Sequence, residues 1–191
     1  MNADEVINQF RETGALLEGH FQLTSGLHST VYLQCARVLQ FPAKAAAFGE
    51  AIARQFQGQG IELVASPAIG GIVIGHEVAR ALGARFIWTE REAGQMTLRR
   101  GFTVEPGEKT LVVEDVITTG GSTRETIDAL VAAGANVVGA ASIIDRSAGA
   151  ADVGVPRTAL ASLKVASVEA AVCDACIAGE PVVKPGSRPK S

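Results

Sequence analysis

Short apolar runs alternate with longer helix-forming stretches through the middle of the chain. The apolar runs lie in "IELVAS" (61–66), "ARFIW" (84–88), "KTLVVED" (109–115) and "NVVGAASII" (136–144). The stretches with helical spacing are 42–56, about 71–82 and about 122–133. Because strands that are apolar on both sides are typical of a parallel sheet covered by helices on both faces, the pattern predicts a doubly wound α/β core.

The two ends of the chain depart from this alternation. Residues 3–13 have the spacing of an amphipathic helix, with Gly14 as its C-cap, and "LLEGHFQLTSG" (16–26) followed by "STVYLQ" (29–34) indicates a small antiparallel ribbon. We therefore divide the chain into an N-terminal hood (1–38), the α/β core (39–165) and a C-terminal extension (166–191). The tail "VVKPGSRPKS" (182–191) has no apolar periodicity and is expected to be disordered.

Length, composition and charge set the class of protein. The chain has 191 residues, of which 47% are hydrophobic, enough for one domain with its own core. The formal net charge of −3 predicts no binding to nucleic acid or to an anionic membrane surface. No window approaches the roughly 18 consecutive apolar residues of a membrane helix, and the start "MNADEVINQF" does not resemble a signal peptide. We expect a cytoplasmic protein.

The cysteines and histidines give no clear site. Three cysteines are an odd number, so no disulfide framework is implied, and "CDAC" (173–176) has the spacing of half a zinc site. Tetrahedral zinc needs about four ligands, and the sequence places no second Cys/His pair nearby, so no metal ligand is predicted. His20, His28 and His76 are scattered and suggest no catalytic triad.

The stretch "LVVEDVITTGGST" (111–123) carries the strongest chemical signal. Its strand delivers Glu114 and Asp115 to the carboxyl edge of the sheet, where ligands bind in α/β folds. The following Thr/Gly/Ser loop opens a helix, and backbone N–H groups with hydroxyls at that point form a cup for a phosphate. A sugar phosphate would satisfy both halves, because its hydroxyls donate to the acids and its phosphate enters the cup. Neither a G-x-x-x-x-G-K-[ST] nor a G-x-G-x-x-G motif is present.

This stretch resembles the phosphoribosyl-pyrophosphate (PRPP) signature of the type I phosphoribosyltransferases. "GHFQLTSGLHSTVYLQ", "SPAIGGIVIG", "TEREAGQMTLRRGF" and "IIDRS" occur in the order and spacing of the orotate phosphoribosyltransferases, and the similarity spans roughly residues 10–150. The ribbon "L-x-S-G-x-x-S" is the most discriminating part. The resemblance implies the type I phosphoribosyltransferase fold with a small N-terminal hood, and transfer of phosphoribosyl from PRPP to orotate in UMP synthesis.

Site residues follow from the resemblance position by position. Glu114 and Asp115 would bind the ribose hydroxyls, and residues 118–122 the 5-phosphate. The residues assigned to PRPP are Arg91, Glu114, Asp115, Val116, Ile117, Thr118, Thr119, Gly120, Gly121 and Ser122. Orotate would contact Thr118, Arg146, Tyr32 and Leu33, with the Arg146 guanidinium on the carboxylate. Arg91 and Asp115 are the catalytic candidates, Mg²⁺ is expected to accompany PRPP, and a homodimer is implied.

Residues 89–102, the lid segment, correspond to a mobile catalytic loop that in the resembled enzymes closes over the neighbouring subunit's site. Arg91 best matches a cation that contacts PRPP, with Arg99 and Arg100 available to help. Several family cations are replaced here, by Thr24, Gly70, Glu90, Gly94 and Met96, and the family's proton-handling histidine has no counterpart, so no general acid is assigned. A phosphoribosyltransferase for another base and a non-catalytic PRPP-binding regulator are therefore kept as alternatives.

Overall fold

The computed structural model describes residues 1–23, 26–165 and 167–185. Six α-helices are described: α1 (Ala3–Glu12), α2 (Ala36–Leu39), α3 (Pro42–Phe56), α4 (Gly71–Leu82), α5 (Gly121–Ala132) and α6 (Asp174–Ile177). The described strands are β1 (Leu16–Gln22), β2 (His28–Leu33), β3 (Leu63–Pro67), β4 (Arg85–Glu92), β5 (Gln95–Leu98), β6 (Lys109–Ile117), β7 (Asn136–Asp145), β8 (Arg157–Ser162) and β9 (Ser167–Val168). A 3₁₀ turn, Ala170–Val172, precedes α6. None of the described helices has the length and apolar content needed to cross a bilayer.

The core is a six-stranded sheet with the order β5-β4-β3-β6-β7-β8. Every neighbouring pair is parallel except β4 and β5. Apolar side chains of α1, α3 and α4 pack on one face, and those of α5 pack on the other. The predicted α/β core with helices on both faces is confirmed, and α3 and α4 have the predicted bounds.

Close approach between α4 and the sheet fixes the position of the loop that precedes this helix. A Cβ atom at Gly75 would lie 2.6 Å from Cε2 of Phe86, and one at Gly49 of α3 would lie 2.6 Å from Cβ of Glu77 on α4. Only glycine allows backbones to pack at these separations. Gly71 and Gly75 of "GGIVIG" therefore serve the packing of α4 on the sheet, and this packing holds residues 68–70 at the carboxyl edge of the sheet.

Two strands of the main sheet were missing from the sequence interpretation. The polar segment that follows "ARFIW" continues β4 to Glu92 and returns as antiparallel β5, with Ala93 and Gly94 at positive φ in the turn. The sheet is therefore mixed and not wholly parallel. Strand β8 pairs in parallel with β7, but its alanines and half-exposed positions lack the apolar run of a buried strand.

A second sheet forms the hood, and the C-terminal extension contributes to it. Strands β1 and β2 form the predicted antiparallel ribbon, and β9 pairs with β2. Beyond α6 the chain returns along β1, where Val183 donates to the carbonyl of His20 at 2.8 Å and accepts from the N–H of Gln22 at 2.9 Å. The expected disorder of the tail is therefore wrong at Val183, because strand pairing needs no apolar periodicity. Residues 186–191 lie outside the described residues.

Candidate active site

A cavity of about 750 Å³ opens between the carboxyl edge of the main sheet and the hood. We call it the crevice. It is lined by Gln22, Leu23, Leu27, Tyr32, Leu33, Gln34, Cys35, Asp115, Val116, Thr118, Thr119, Arg146, Val165, Ser167, Lys184 and Pro185. Seven residues assigned from the sequence are among them: Tyr32, Leu33, Asp115, Val116, Thr118, Thr119 and Arg146. The loops after β6 and β7 therefore converge on one crevice, whereas the loops after β3 and β4 contribute no residue to its lining.

The paired acids lie at the end of β6, where the sheet shields them from water. The hydroxyl of Thr123 donates a hydrogen bond to Glu114, and the N–H of Val116 donates to Oδ1 of Asp115 at 2.9 Å. Burial raises the pKa of Glu114 to about 7, against the effect of the Thr123 hydrogen bond. Burial likewise raises the pKa of Asp115. Neither carboxyl group has an ion-pair partner among the residues that the structure describes, and both would gain from the hydroxyl donors of a bound ribose.

The loop after the acids has the geometry of a phosphate site. Thr118 and Thr119 are exposed, and Gly120 has φ = 81°, which favours glycine. A Cβ atom at Gly120 would also lie 2.9 Å from Cγ1 of Val153. The 12-residue helix α5 begins at the next residue, its first turn carries no acid, and its first N–H groups have no partner within the helix. An anion would be stabilised there.

The assigned run 114–122 does not face the crevice as a whole. Ile117 is fully buried, and its carbonyl accepts a hydrogen bond from the N–H of Arg146 at 2.8 Å, so its side chain belongs to the core. Glu114, Gly120, Gly121 and Ser122 are not among the residues that line the cavity. They lie in the same strand–loop–helix turn, with Glu114 held by Thr123 on the first turn of α5.

Arg146 presents a half-buried guanidinium to the crevice. Its Nε is buried and has no hydrogen-bond partner among the residues that the structure describes. Burial lowers the pKa of Arg146 from its ordinary value, while the nearby Tyr32 and Cys35 act to raise it. A buried donor without an acceptor is costly, and a planar guanidinium is matched to a carboxylate. The crevice is therefore built to receive an anionic group at Arg146.

Asp145, which the sequence interpretation did not use, fixes the loop that carries Arg146. It accepts hydrogen bonds from the N–H and hydroxyl of Ser147 at 2.7 and 2.6 Å and from the N–H of Gly149 at 3.0 Å. Nη1 of Arg157 lies 3.0 Å from Oδ2 of Asp145, the oxygen that also accepts from Gly149. Burial alone would raise the pKa of Asp145, but the hydrogen bonds hold it below its ordinary value. The Asp-x-Ser pattern after a strand is a signal for such a turn.

The loop between β3 and α4, residues 68–70, comes close to Asp115. A Cβ atom at Gly70 would lie 2.9 Å from Oδ1 of Asp115. A lysine at this position, as in the resembled enzymes, would require the Asp115 carboxyl to shift. The absence of a lysine at position 70 is therefore linked to the position of the Asp115 carboxyl group. Thr24, which also replaces a family lysine, lies outside the described residues.

The lid segment does not reach the crevice of its own chain. Nη2 of Arg91 lies 2.6 Å from Oε2 of Glu125 on α5. Arg100 bonds Glu90 through Nε at 2.6 Å, and Nη2 of Arg99 lies 3.5 Å from Glu92. The hydrogen bond from Arg100 lowers the pKa of Glu90. Arg91 is therefore not a crevice-lining residue, but its partner Glu125 lies one helical turn from the assigned PRPP residues Gly121 and Ser122.

The C-terminal extension supplies crevice residues that sequence reasoning missed. Ser167, Lys184 and Pro185 of the extension line the cavity together with Cys35 and with Val165, the last residue of the core. Burial, followed by the charge of Asp115, raises the pKa of the Cys35 thiol. No local pattern marks these residues, because they reach the crevice only when the extension folds back onto the ribbon.

The expectation that no Cys/His pair accompanies "CDAC" is wrong. His20 and His28 on the ribbon meet Cys173 and Cys176 of the extension, and one potential ligand atom from each lies within 4.8 Å of all the others. We call this group the His/Cys cluster. None of its four residues lines the crevice.

Comparisons with known proteins agree with this geometry. The family model of the phosphoribosyl transferase domain matches residues 35–171. An orotate phosphoribosyltransferase from Pelotomaculum thermopropionicum is 53% identical over 188 residues, which cover 98% of this chain and 99% of that one. One from Caldicellulosiruptor bescii is 50% identical over 190 residues, covering 100% of both.

Solved structures extend the likeness to the fold. The crystal structure of an orotate phosphoribosyltransferase from Aeropyrum pernix superimposes with a TM-score of 0.67 at 26% identity, over 83% of this chain and 94% of that one. An adenine phosphoribosyltransferase from Thermoanaerobacter pseudethanolicus shares the fold at a TM-score of 0.58 and 15% identity. Full-length identity of about one half, together with the family match, shows that the chain belongs to the phosphoribosyl transferase family and, within it, to the orotate phosphoribosyltransferases.

Proposed function

We propose that this chain transfers the phosphoribosyl group of PRPP to orotate, giving orotidine 5'-monophosphate and pyrophosphate for pyrimidine synthesis in the cytoplasm. One observation carries the choice of acceptor: the buried Nε of Arg146 has no partner among the described residues and belongs to a side chain that lines the crevice. The orotate carboxylate would pair with this guanidinium. The pyrimidine ring would then lie along Tyr32 and Leu33, with Thr118 at its edge.

The donor would occupy the turn between β6 and α5. The 5-phosphate would bind the N–H groups at the start of α5 and the hydroxyls of Thr118, Thr119 and Ser122. The ribose hydroxyls would donate to Glu114 and Asp115, which lack charged partners. In this arrangement the described parts of the hood (1–23 and 26–38) and of the extension (167–185) would cover the base, while the core (39–165) would hold the sugar phosphate.

The reaction requires positioning and electrostatics more than proton transfer. As the bond from C1 to pyrophosphate lengthens, the ribose takes on oxocarbenium character. The orotate nitrogen then attacks the same carbon, pyrophosphate leaves, and the N–H proton of the ring is released to the departing pyrophosphate or to water. Asp115 lies where it would stabilise the cationic ribose, and Arg146 would hold the base in line. No histidine is among the residues that line the cavity, so the described crevice offers no imidazole acid or base.

Mg²⁺ is proposed to enter with PRPP. Among the described residues the crevice holds no group of three or more carboxylate, histidine or cysteine ligands, and this fits a cation held mainly by substrate oxygens and water. Bound in this way, Mg²⁺ supplies positive charge for the departing pyrophosphate. Glu114 and Asp115 would orient the ribose hydroxyls beside it.

We further propose a homodimer in which the lid segment acts on the neighbouring subunit. Arg91 lies outside its own crevice, and Ile69 and Val73, which are 85% and 44% exposed, give the start of α4 an apolar surface that a second copy could cover. Mixing Arg91→Ala subunits, which should retain about a tenth of the activity, with inactive Asp115→Ala subunits should raise the activity to about a quarter of wild type, because one site of a mixed dimer is intact. No recovery after verified subunit exchange would contradict a shared site.

The base accepted is tested by steady-state turnover. We expect the purified chain with PRPP and Mg²⁺ to consume orotate and to release pyrophosphate, with little turnover of uracil, adenine, guanine or xanthine. Uracil is the sharpest comparison because it is orotate without the carboxylate. Preference for another base, or no turnover of orotate, would overturn the proposal.

A matched pair of arginine variants links the preference to the crevice. Arg146→Ala should lower kcat/KM for orotate while leaving uracil turnover unchanged. Arg54→Ala, which removes an exposed arginine from the last turn of α3, should change neither. An equal loss for both bases would show that Arg146 does not read the carboxylate.

A further inference from the structure

The His/Cys cluster joins two parts of the chain that are far apart in sequence. His20 lies in β1, and His28 is the first residue of β2. Cys173 is the N-cap of the short helix α6, and Cys176 lies within that helix. Three of the four residues are buried and the fourth, Cys176, is half-buried. Both cysteines are free thiols.

The atoms of the cluster point at one another with separations close to those around a tetrahedral metal ion. Sγ of Cys173 and Sγ of Cys176 each lie 3.5 Å from Nε2 of His20, and Sγ of Cys176 lies 3.2 Å from Nδ1 of His28. Tetrahedral zinc with its usual bond lengths separates sulfur and nitrogen ligands by about 3.5 Å. The two ring nitrogens are 2.8 Å apart, and a bound ion would draw them slightly apart.

The ring of His20 is already oriented for this role. Its Nδ1 lies 3.0 Å from the carbonyl of Glu180, and because a carbonyl only accepts, Nδ1 carries the proton. In a neutral ring Nε2 then offers its lone pair to the centre of the cluster. A backbone carbonyl behind a ligating histidine is a common way to fix the ring and its tautomer.

We propose that His20, His28, Cys173 and Cys176 bind one Zn²⁺ ion. Two thiolates and two imidazoles are a ligand set that zinc favours, and four protein ligands leave no open position for a substrate. The site is therefore structural, and it goes beyond the transfer reaction. Its ligands come as Cys-x₂-Cys on the extension and as two residues eight apart on the ribbon.

The ion would fasten the C-terminal extension to the hood. Between β9 and Val183 the extension makes only a 3₁₀ turn and a four-residue helix, and its exposed side chains include Val172 and Ile177. Such a segment buries little apolar surface of its own, and a metal clip that closes a long loop compensates for this. Because Ser167 and Lys184 line the crevice, the clip would also hold one wall of the cavity.

Metal content of the full chain is the direct test. Protein purified without chelator should contain one zinc per chain by elemental analysis, and the Cys173→Ser/Cys176→Ser variant should contain less than about a tenth of that. His76→Gln, which alters an exposed histidine on α4, is the matched control and should retain one zinc. A zinc-free wild type whose Tm does not rise with added Zn²⁺ would overturn the proposal.

Spectroscopy of the wild type keeps the test decisive if the variants do not fold. After zinc is exchanged for Co²⁺, we expect thiolate-to-metal charge-transfer bands and the intense visible bands of tetrahedral cobalt. Chelation should lower Tm by about 5 °C or more. Cobalt spectra without thiolate bands, or a Cys173–Cys176 disulfide trapped directly from reducing cells, would contradict a zinc site. None of these measurements involves turnover, so the outcome is independent of the proposed reaction.

Discussion

The crevice and the lid segment both carry charged side chains, but they hold them in opposite ways. In the crevice region Glu114, Asp115 and Arg146 are partly or largely withdrawn from water, and none takes part in an ion pair among the described residues. In the lid segment Arg91, Arg99 and Arg100 are 44%, 47% and 62% exposed, and each lies within 4.0 Å of a carboxylate.

The difference indicates that a ligand is expected in the crevice and that a rearrangement is expected in the lid segment. Buried charges without partners are costly and occur at sites where a ligand completes them. Exposed ion pairs contribute only about 0–1 kcal/mol, so the lid arginines can exchange their carboxylates for phosphate oxygens at little cost. The crevice is thus prepared before the substrate binds, whereas the lid segment would be recruited by it.

Asp115→Asn is expected to lower kcat/KM more than the other substitutions. The amide keeps the shape of the side chain but removes the negative charge beside the ribose, and we expect kcat/KM to fall by about 10² to 10³-fold. Because burial raises the pKa of Asp115, its charged form is disfavoured in the fold, and the neutral amide should leave Tm at pH 8 unchanged or higher. Asp128→Asn on the exposed face of α5 is the control. Loss of activity together with loss of Tm would indicate a structural role instead.

Arg146→Lys should have the next largest effect. Lysine retains the charge but loses the planar fork, so kcat/KM for orotate should fall by about 10 to 100-fold while the dissociation constant of PRPP stays unchanged. Binding of each substrate by calorimetry separates the two. The loop should stay in place, because Asp145 is held by Ser147, Gly149 and Arg157. Equal weakening of PRPP would contradict the assignment to the base.

Arg91→Ala tests the lid segment. We expect kcat to fall by about 10-fold and Tm to change by less than about 2 °C, since the pair with Glu125 is exposed. Glu125→Gln removes the same pair but leaves the arginine, so its kcat should stay within about 3-fold of wild type. Similar losses in both variants would show that the pair itself matters and not the approach of Arg91 to PRPP.

The core and the turn that carries Glu114 and Asp115 were predictable because their signals are local. Buried strands read as apolar runs, and α4 has the predicted bounds of Gly71–Leu82. Glu114 and Asp115 follow such a run directly, so their position at the sheet edge needed no knowledge of the rest of the fold. The lid segment was harder, because charges occupy its exposed positions, while Thr89 and Met96 are its only buried residues.

The part of the crevice lined by the C-terminal extension and the His/Cys cluster were beyond local reasoning. His20 and Cys173 lie 153 positions apart and meet only because the extension folds back along β1 and β2. Lys184 reaches the cavity by the same path. Such contacts depend on a chain reversal whose own sequence carries neither a strong strand pattern nor a strong helix pattern.

The effect of Glu114→Gln on Tm should depend on pH, unlike that of a matched substitution in the lid segment. Glu114 has a pKa of about 7 in the fold because of burial, whereas the Arg100 hydrogen bond lowers the pKa of Glu90 in the lid segment. Between about pH 4.5 and 7 the unfolded chain loses the Glu114 proton before the folded chain does, so this residue makes stability fall as pH rises through that window.

Glutamine at position 114 still accepts a hydrogen bond from Thr123 and cannot ionise. The gain in Tm of Glu114→Gln over wild type should therefore grow by roughly 4 to 8 °C between pH 5.5 and 8. Glu90→Gln should show no such growth, because Glu90 is ionised in both states over this range. A constant difference for both variants would mean that Glu114 is ionised at pH 5.5, and that the crevice acids are no less solvated than those of the lid segment.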